Sequence, residues 1–341
     1  MKFKAIENFN KIANNSVLLI NLLINAENIK KQIIIVRMLS NKVRKKLENI
    51  KELPSIPNVL TSVLNEIDNP DYNAKHIAKL IEQDQGLTAR ILKVANSPYY
   101  GLARTISTID TAIILLGSNV IREILLALLL HKIFTKTKSK MLNTKSFWKY
   151  SIFCGAASRF IARKMKYRIV SEAFVTALMH DIGILIEMDN FRNGFAKVRT
   201  LQKEQGYSII EAELEVFECT HSDIGAWIAE RWNFPEKIIN ALAFHHSPFY
   251  ISDAEEYAED FVFNPVFADL KYPLAAITSI SEWFANECGM KDWDKNNEPN
   301  YYISNEFIMD MVDDELLDYE SALIILKQGI IDEYEKCAVN F

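Results

Sequence analysis

The chain has 341 residues, nearly half of them apolar and about a quarter charged, which is the balance of a soluble globular protein. Its net charge of -5 hides an asymmetry: residues 1–50 carry ten Lys+Arg against three Glu, and residues 251–341 carry five Lys against 21 Asp+Glu. The basic excess lies on an N-terminal extension with no zinc-finger or RNP motif beside it, so a nucleic-acid partner is not expected. Ten Gly and nine Pro are few for this length, and long stretches repeat apolar residues every three or four positions. Both features argue for an all-helical fold.

In residues 1–52 the apolar run Val17–Leu23 is broken by Asn21, and Glu27, Lys30 and Lys31 precede Ile33–Val36. Neither run approaches the roughly 18–20 residues of a transmembrane helix, and no small-residue cleavage site follows. The segment reads as an amphipathic helical extension. Pro54 and Pro57 then open a helix with Val59, Leu60, Val63, Leu64 and Ile67 on one face, closed by Asp68–Asp71. A short helix buries Ile77, Leu80 and Ile81. Asp84 caps the next, whose Leu87, Ile91, Leu92 and Ala95 share a face. That helix stops in Asn96-Ser97-Pro98, where proline cannot continue it. Ser107 or Thr108 caps a helix ending near Gly117, and Ser118 caps another. Residues 53–135 thus read as a bundle of about five short helices.

After the basic linker 136–140, a second bundle spans 141–290. Its helices are expected over roughly 145–165, 171–188, 190–205, 208–217, 220–232 and 235–246. Thr220 and Asp223 form a capping box, and Pro235 fits a first helical position. Residues 251–270 hold six acids and no base, which reads as an insertion. Leu274 to Ala285 is helical again, and residues 291–341 form an acidic tail with a helix near 315–336.

The stretch Asp84 to Gly101, D-x-x-L-x-x-R-I-L-x-x-A-N-S-x-x-x-G, resembles the signature of the HDOD domain. The resemblance runs from Leu53-Pro54 through Leu116-Gly117 to His245-His246. It implies an all-α fold of two packed bundles, the second like the HD phosphohydrolases. It also implies a bacterial, cytoplasmic signalling role, in motility, chemotaxis or second-messenger pathways, exercised through protein–protein contact.

The same resemblance places a metal set on His180, Asp181, His221, His245, His246 and, on a later helix, Glu282. Imidazole and carboxylate together suit divalent iron, manganese or zinc, which would acidify a bound water and polarise a phosphoryl oxygen. The departures weigh against turnover. Tyr150 stands where the family has its first His, and Ser146 where the c-di-GMP phosphodiesterase branch has a Glu. Ile184 replaces a Lys, and Ser247-Pro248-Phe249 replaces the G-Y-P motif. The alternatives are a metal-dependent phosphohydrolase with a degenerate ligand set, and a module that binds a nucleotide without cleaving it. His221, at a helix start, otherwise reads as an exposed or capping residue, and one of His245 and His246 as solvent-facing.

The signature loop has two readings of its own. Asp84, Arg90, Asn96, Ser97, Tyr99, Tyr100 and Gly101 could form a contact surface with tyrosine anchors. Alternatively Asn96 and Ser97 only close a helix, with Arg90 paired to a carboxylate. The four cysteines form no C-x-x-C pair and read as free thiols in a reducing compartment.

Overall fold

A computed structural model describes residues 45, 47, 48, 58–67, 69, 72–97, 100–137, 141–246, 272–291, 303, 305–312 and 318–338. Apart from residues 45, 47 and 48, the expected N-terminal extension lies outside these residues, as do Pro98, Tyr99, positions 138–140 of the expected linker 136–140 and the whole acidic insertion 251–270. The chain divides into two compact units, Met1–Asn49 and Ile50–Phe341.

The second unit is helical, with no strand among its described residues. In chain order its helices are α1 (Asn58–Ile67), α2 (Ala74–Glu82), α3 (Gln85–Ala95), α4 (Ile109–Leu116) and α5 (Ser118–Lys136). Next come α6 (Thr144–Lys164), α7 (Val170–Met179), α8 (Ile182–Asn190), α9 (Arg192–Gln205) and α10 (Ile209–Phe217). The last are α11 (His221–Arg231), α12 (Glu236–Phe244), α13 (Pro273–Glu287), α14 (Asn305–Asp310) and α15 (Tyr319–Ala338). No single helix among the described residues is long and apolar enough to cross a membrane.

Local chemistry sets the boundaries. The Asp84 carboxylate accepts from the Leu87 N–H at 2.9 Å, as an N-cap should. Thr220 and Asp223 form a reciprocal capping box, satisfying two of the backbone donors a helix start leaves open. Pro235 sits one residue earlier than expected, as the cap of α12 rather than its first residue. Gly117, with φ of 86°, caps α5 where Ser118 was expected to, and Ser118 is the first residue of the helix.

The signature helix α3 ends in a side-chain clamp. The Asn96 amide nitrogen donates to the Ile106 carbonyl at 2.7 Å, and its oxygen accepts from the Ile106 N–H at 2.6 Å. One side-chain amide thereby does what a paired strand residue would do. Asn96 thus ends α3 through its backbone N–H, while its side chain ties the helix end to Ile106. Arg90 is exposed and makes no ion pair among the described residues. Tyr100 is half-buried rather than an exposed anchor, and its burial, with Glu123 nearby, pushes the phenol up. Gly101 takes the left-handed conformation, φ 57°, which a glycine adopts without strain.

α6 is the centre of the packing. It is buried along most of its length and contacts α5, α7, α13 and α15. Its Arg159 is buried and bonds Glu123 of α5, lies 3.6 Å from Glu333 of α15, and sits 4.2 Å over the Phe174 ring of α7. A single guanidinium therefore joins four helices. Arg163, one turn on and half-exposed, adds a second bond to Glu333 at 3.1 Å.

Candidate metal centre

The apolar run through His180-Asp181 reads as one helix over 171–188, but the chain breaks there into α7 and α8. Asp181 has φ -97° and ψ 15°, outside the helical well. Just past the break, the chain packs closely on α11. A β-carbon on Gly183 would lie 2.0 Å from the His221 carbonyl, so α8 can approach α11 only through a glycine. The break turns both His180 and Asp181 inward, to 0% and 3% exposure.

Three histidines are held in the same way. His180 donates its Nδ1 proton to the Ala177 carbonyl and His245 to the Leu242 carbonyl, each at 2.7 Å. His221 donates Nδ1 to the Glu213 carboxylate at 2.8 Å, and Glu213 also accepts the His221 backbone N–H. A carbonyl or carboxylate can only accept, so the proton position on Nδ1 follows and each Nε2 faces inward. This outer hydrogen bond is how proteins orient metal-ligating imidazoles.

The inward atoms converge on Asp181. Its Oδ2 is 3.2 Å from His180 Nε2, and its Oδ1 is 3.2 Å from His221 Nε2 and 3.6 Å from His245 Nε2. His246 Nε2 lies 2.9 Å from His221 Nε2. Glu282, from α13, brings Oε2 to 3.9 Å from His246 Nδ1. All six residues of the expected set are thus brought together. His221 is buried rather than exposed, and His246 also points inward. Tyr150 takes the place of the expected histidine, its hydroxyl 3.2 Å from His180 Nε2.

Electrostatics follow from this packing. Burial works against a charged His221, yet Glu213 and Asp181 outweigh it and hold the imidazole well above its usual range. Burial also opposes the Asp181 carboxylate, but His180, His221 and His245 bring it well below the ordinary value. His246 is pushed down by burial and by His245.

Asp181 Oδ1, His245 Nε2 and Glu282 Oε2 are buried and make no hydrogen bond. Donor atoms of Asp181, His221, His245 and His246 all lie within 4.8 Å of one another, and so do those of His180, His245 and Glu282. Ligands about 2.1 Å from one ion can be at most about 4.2 Å apart. The first group therefore fits a divalent ion after a shift of a few tenths of an ångström. Bound there, such an ion would acidify a water and polarise a phosphoryl oxygen.

Lys291 and Glu213 are site residues that sequence reasoning did not find. Lys291 Nζ lies 2.6 Å from Glu282 Oε1. Gly289, two residues past the end of α13, is the signal of a chain reversal that would have brought Lys291 into view. Glu213 lies on a helix whose pattern does not distinguish it from its surface glutamates.

A buried acid adjoins the site. Glu187 of α8 is fully buried, and burial followed by repulsion from Glu213 pushes its carboxyl well above the usual range. Below about pH 4.3 the group is neutral in both folded and unfolded chains. Above that, the unfolded state gains by ionising and the folded state does not, so stability is lost as pH rises toward the folded value. Glu187→Gln is therefore expected to be more stable than the parent at pH 7.5 and to lose most of that advantage at pH 4. Urea titrations at the two pH values check this.

A family comparison matches the HDOD domain over residues 53–248. The chain belongs to the HDOD family. An HDOD protein of unknown function from Geobacter sulfurreducens shares the fold, with a TM-score of 0.66 and 22% identity over 88% of this chain and 97% of that one. A Shewanella amazonensis SB2B protein, named as a candidate phosphohydrolase, has a TM-score of 0.60 and 21% identity over 88% and 99%. An uncharacterised protein of Treponema pallidum (strain Nichols) is 24% identical over 59% of this chain. The match spans only 39% of that relative's length. These likenesses establish the HDOD fold.

Proposed function

We propose that this HDOD protein is a signal-transduction module that works through contact with other proteins and does not turn over a phosphoester. The observation that carries this reading is the state of the cleft. His180, Asp181, His221, His245 and Glu282 are each at most 3% exposed. Tyr150 and Lys291 fill ground that a hydrolase would leave to ligands and substrate. A phosphodiester must reach the reacting water, and catalytic sets that act as a unit lose most of their rate with one member. Adjacent apolar side chains face solvent elsewhere, Ile114 with Leu115 on α4 and Ile324 with Ile325 on α15. Such pairs suit burial by a partner.

The test is direct. Protein supplied with manganese, iron or zinc is expected to leave bis(p-nitrophenyl) phosphate uncleaved above the metal-only rate. Cleavage that disappears in Asp181→Asn, with folding intact, would move the assignment to the metal-dependent phosphohydrolases.

The orphaned Asp181 and His245 atoms favour a second reading, in which the module holds a divalent ion without using it for hydrolysis. Held by Asp181, His221, His245 and His246, such an ion would join the start of α8, the start of α11 and the end of α12 at one point. Metal analysis of untagged protein tests it, with about one ion per chain expected and a metal-free, metal-refusing protein counting against it.

A further inference from the structure

α13 ends in a tight reversal. Cys288 caps it, and Gly289 takes φ of 66°. The Gly289 N–H donates to Asn286 O at 2.9 Å, and the Met290 N–H to Ala285 O at 2.8 Å. These are the paired bonds of a Schellman closure. The chain therefore doubles back, and Lys291 returns along the helix it has just left. Glu282 lies about 7.5 Å below the helix end, at 1.5 Å per residue, within the span of a lysine side chain. Lys291 is only 6% exposed. Its ammonium bonds Glu282 Oε1 at 2.6 Å and lies 5.6 Å from the Tyr150 ring centre.

The other oxygen of the same carboxylate, Oε2, faces His246 and belongs with His180 and His245 to a group able to hold a cation. A lysine is rarely buried unless a carboxylate compensates its lost hydration. A dication on Oε2 would share one carboxylate with an ammonium on Oε1, and the two positive charges would repel across a distance of a few ångströms.

We propose that Lys291 is the resident cation of the Glu282 side of this site, a tethered ammonium that takes the charge-balancing place of a metal ion and withholds Glu282 from metal ligation. The proposal does not depend on the signalling reading above. It gives Lys291 a role in selecting what the site holds.

The experiment uses the full chain, stripped with EDTA, and follows thermal unfolding by calorimetry. Lys291→Gln leaves Glu282 buried without its ammonium and is expected to lower Tm by about 5–10 °C. Excess Mn2+ should restore most of that loss in K291Q. K291R, which keeps a cation, should melt near the parent and gain no more from Mn2+ than the parent does. The double variant K291Q/E282Q should recover without metal. K291Q that melts like the parent in EDTA overturns the proposal, and so does a K291Q deficit that Mn2+ leaves unchanged. The parent's own response to Mn2+ reports separately on Asp181, His221, His245 and His246. A parent that ignores Mn2+ therefore counts against the metal-holding reading while leaving the Lys291 assignment to its own result.

Discussion

Gly183→Ala is expected to destabilise the protein by about 3 kcal/mol or more, because its new methyl would meet backbone rather than a movable side chain. The nearest atom is the His221 carbonyl oxygen at 2.0 Å, followed by its carbon at 2.7 Å. Relief requires α8 and α11 to separate, and both carry residues of the cluster. The matched control is Gly225→Ala on α11. There the added carbon would sit 3.6 Å from the His180 carbonyl, an ordinary contact, and the change should stay within about 1 kcal/mol. Urea unfolding of the two variants, with a Tyr fluorescence probe of the cleft, separates backbone collision from a general cost of crowding. Equal losses at the two positions would contradict a backbone collision at Gly183.

Arg159→Ala is the second large effect. It leaves Glu123, nearly fully buried, without its guanidinium and removes a bridge to Glu333. Loss of one partner from a buried ion pair costs about 3–5 kcal/mol, most of it from the stranded charge. Two further variants sort the cause. Arg163→Ala removes a guanidinium that is 52% exposed, and should cost less than about 1 kcal/mol. Arg159→Met with Glu123→Leu removes both buried charges and should recover most of the single-variant loss. If the double variant is as unstable as R159A, lost packing against Phe174 is the cause instead. Denaturant midpoints for the set decide between them.

Much of this fold was legible locally. Asp84, Thr220 with Asp223, and the apolar faces of α1 to α3 announce their helices through contacts no more than one turn long. The six proposed ligands were also legible, through their likeness to the HDOD pattern, and they do meet. The break at His180-Asp181 was not. The run AFVTALMHDIGILIEM is apolar on both sides of His180-Asp181, and its one glycine, Gly183, gains its meaning only from the backbone of His221, which packs against it from far along the chain. Lys291 and Glu213 escaped for the same reason. Each acts on a residue eight or nine positions off across a reversal of the chain, a separation that helical periodicity does not encode. Nothing in the sequence around Arg159 marks it as buried. Its burial arises only once α5, α7 and α15 have closed around it.

The Asn96 clamp fixes both ends of the loop that leads from α3 toward α4. Its two bonds hold residues 96 and 106 together whatever lies between them. The cost of lengthening such a tethered loop rises only with the logarithm of its length. Residues added among the exposed positions 103–105 are therefore expected to leave the helices on either side in place, whereas Ser97 and Tyr100 are held by their own burial. One side-chain amide thus works as a clasp, making the spacing of the two helices independent of the length of the loop it closes.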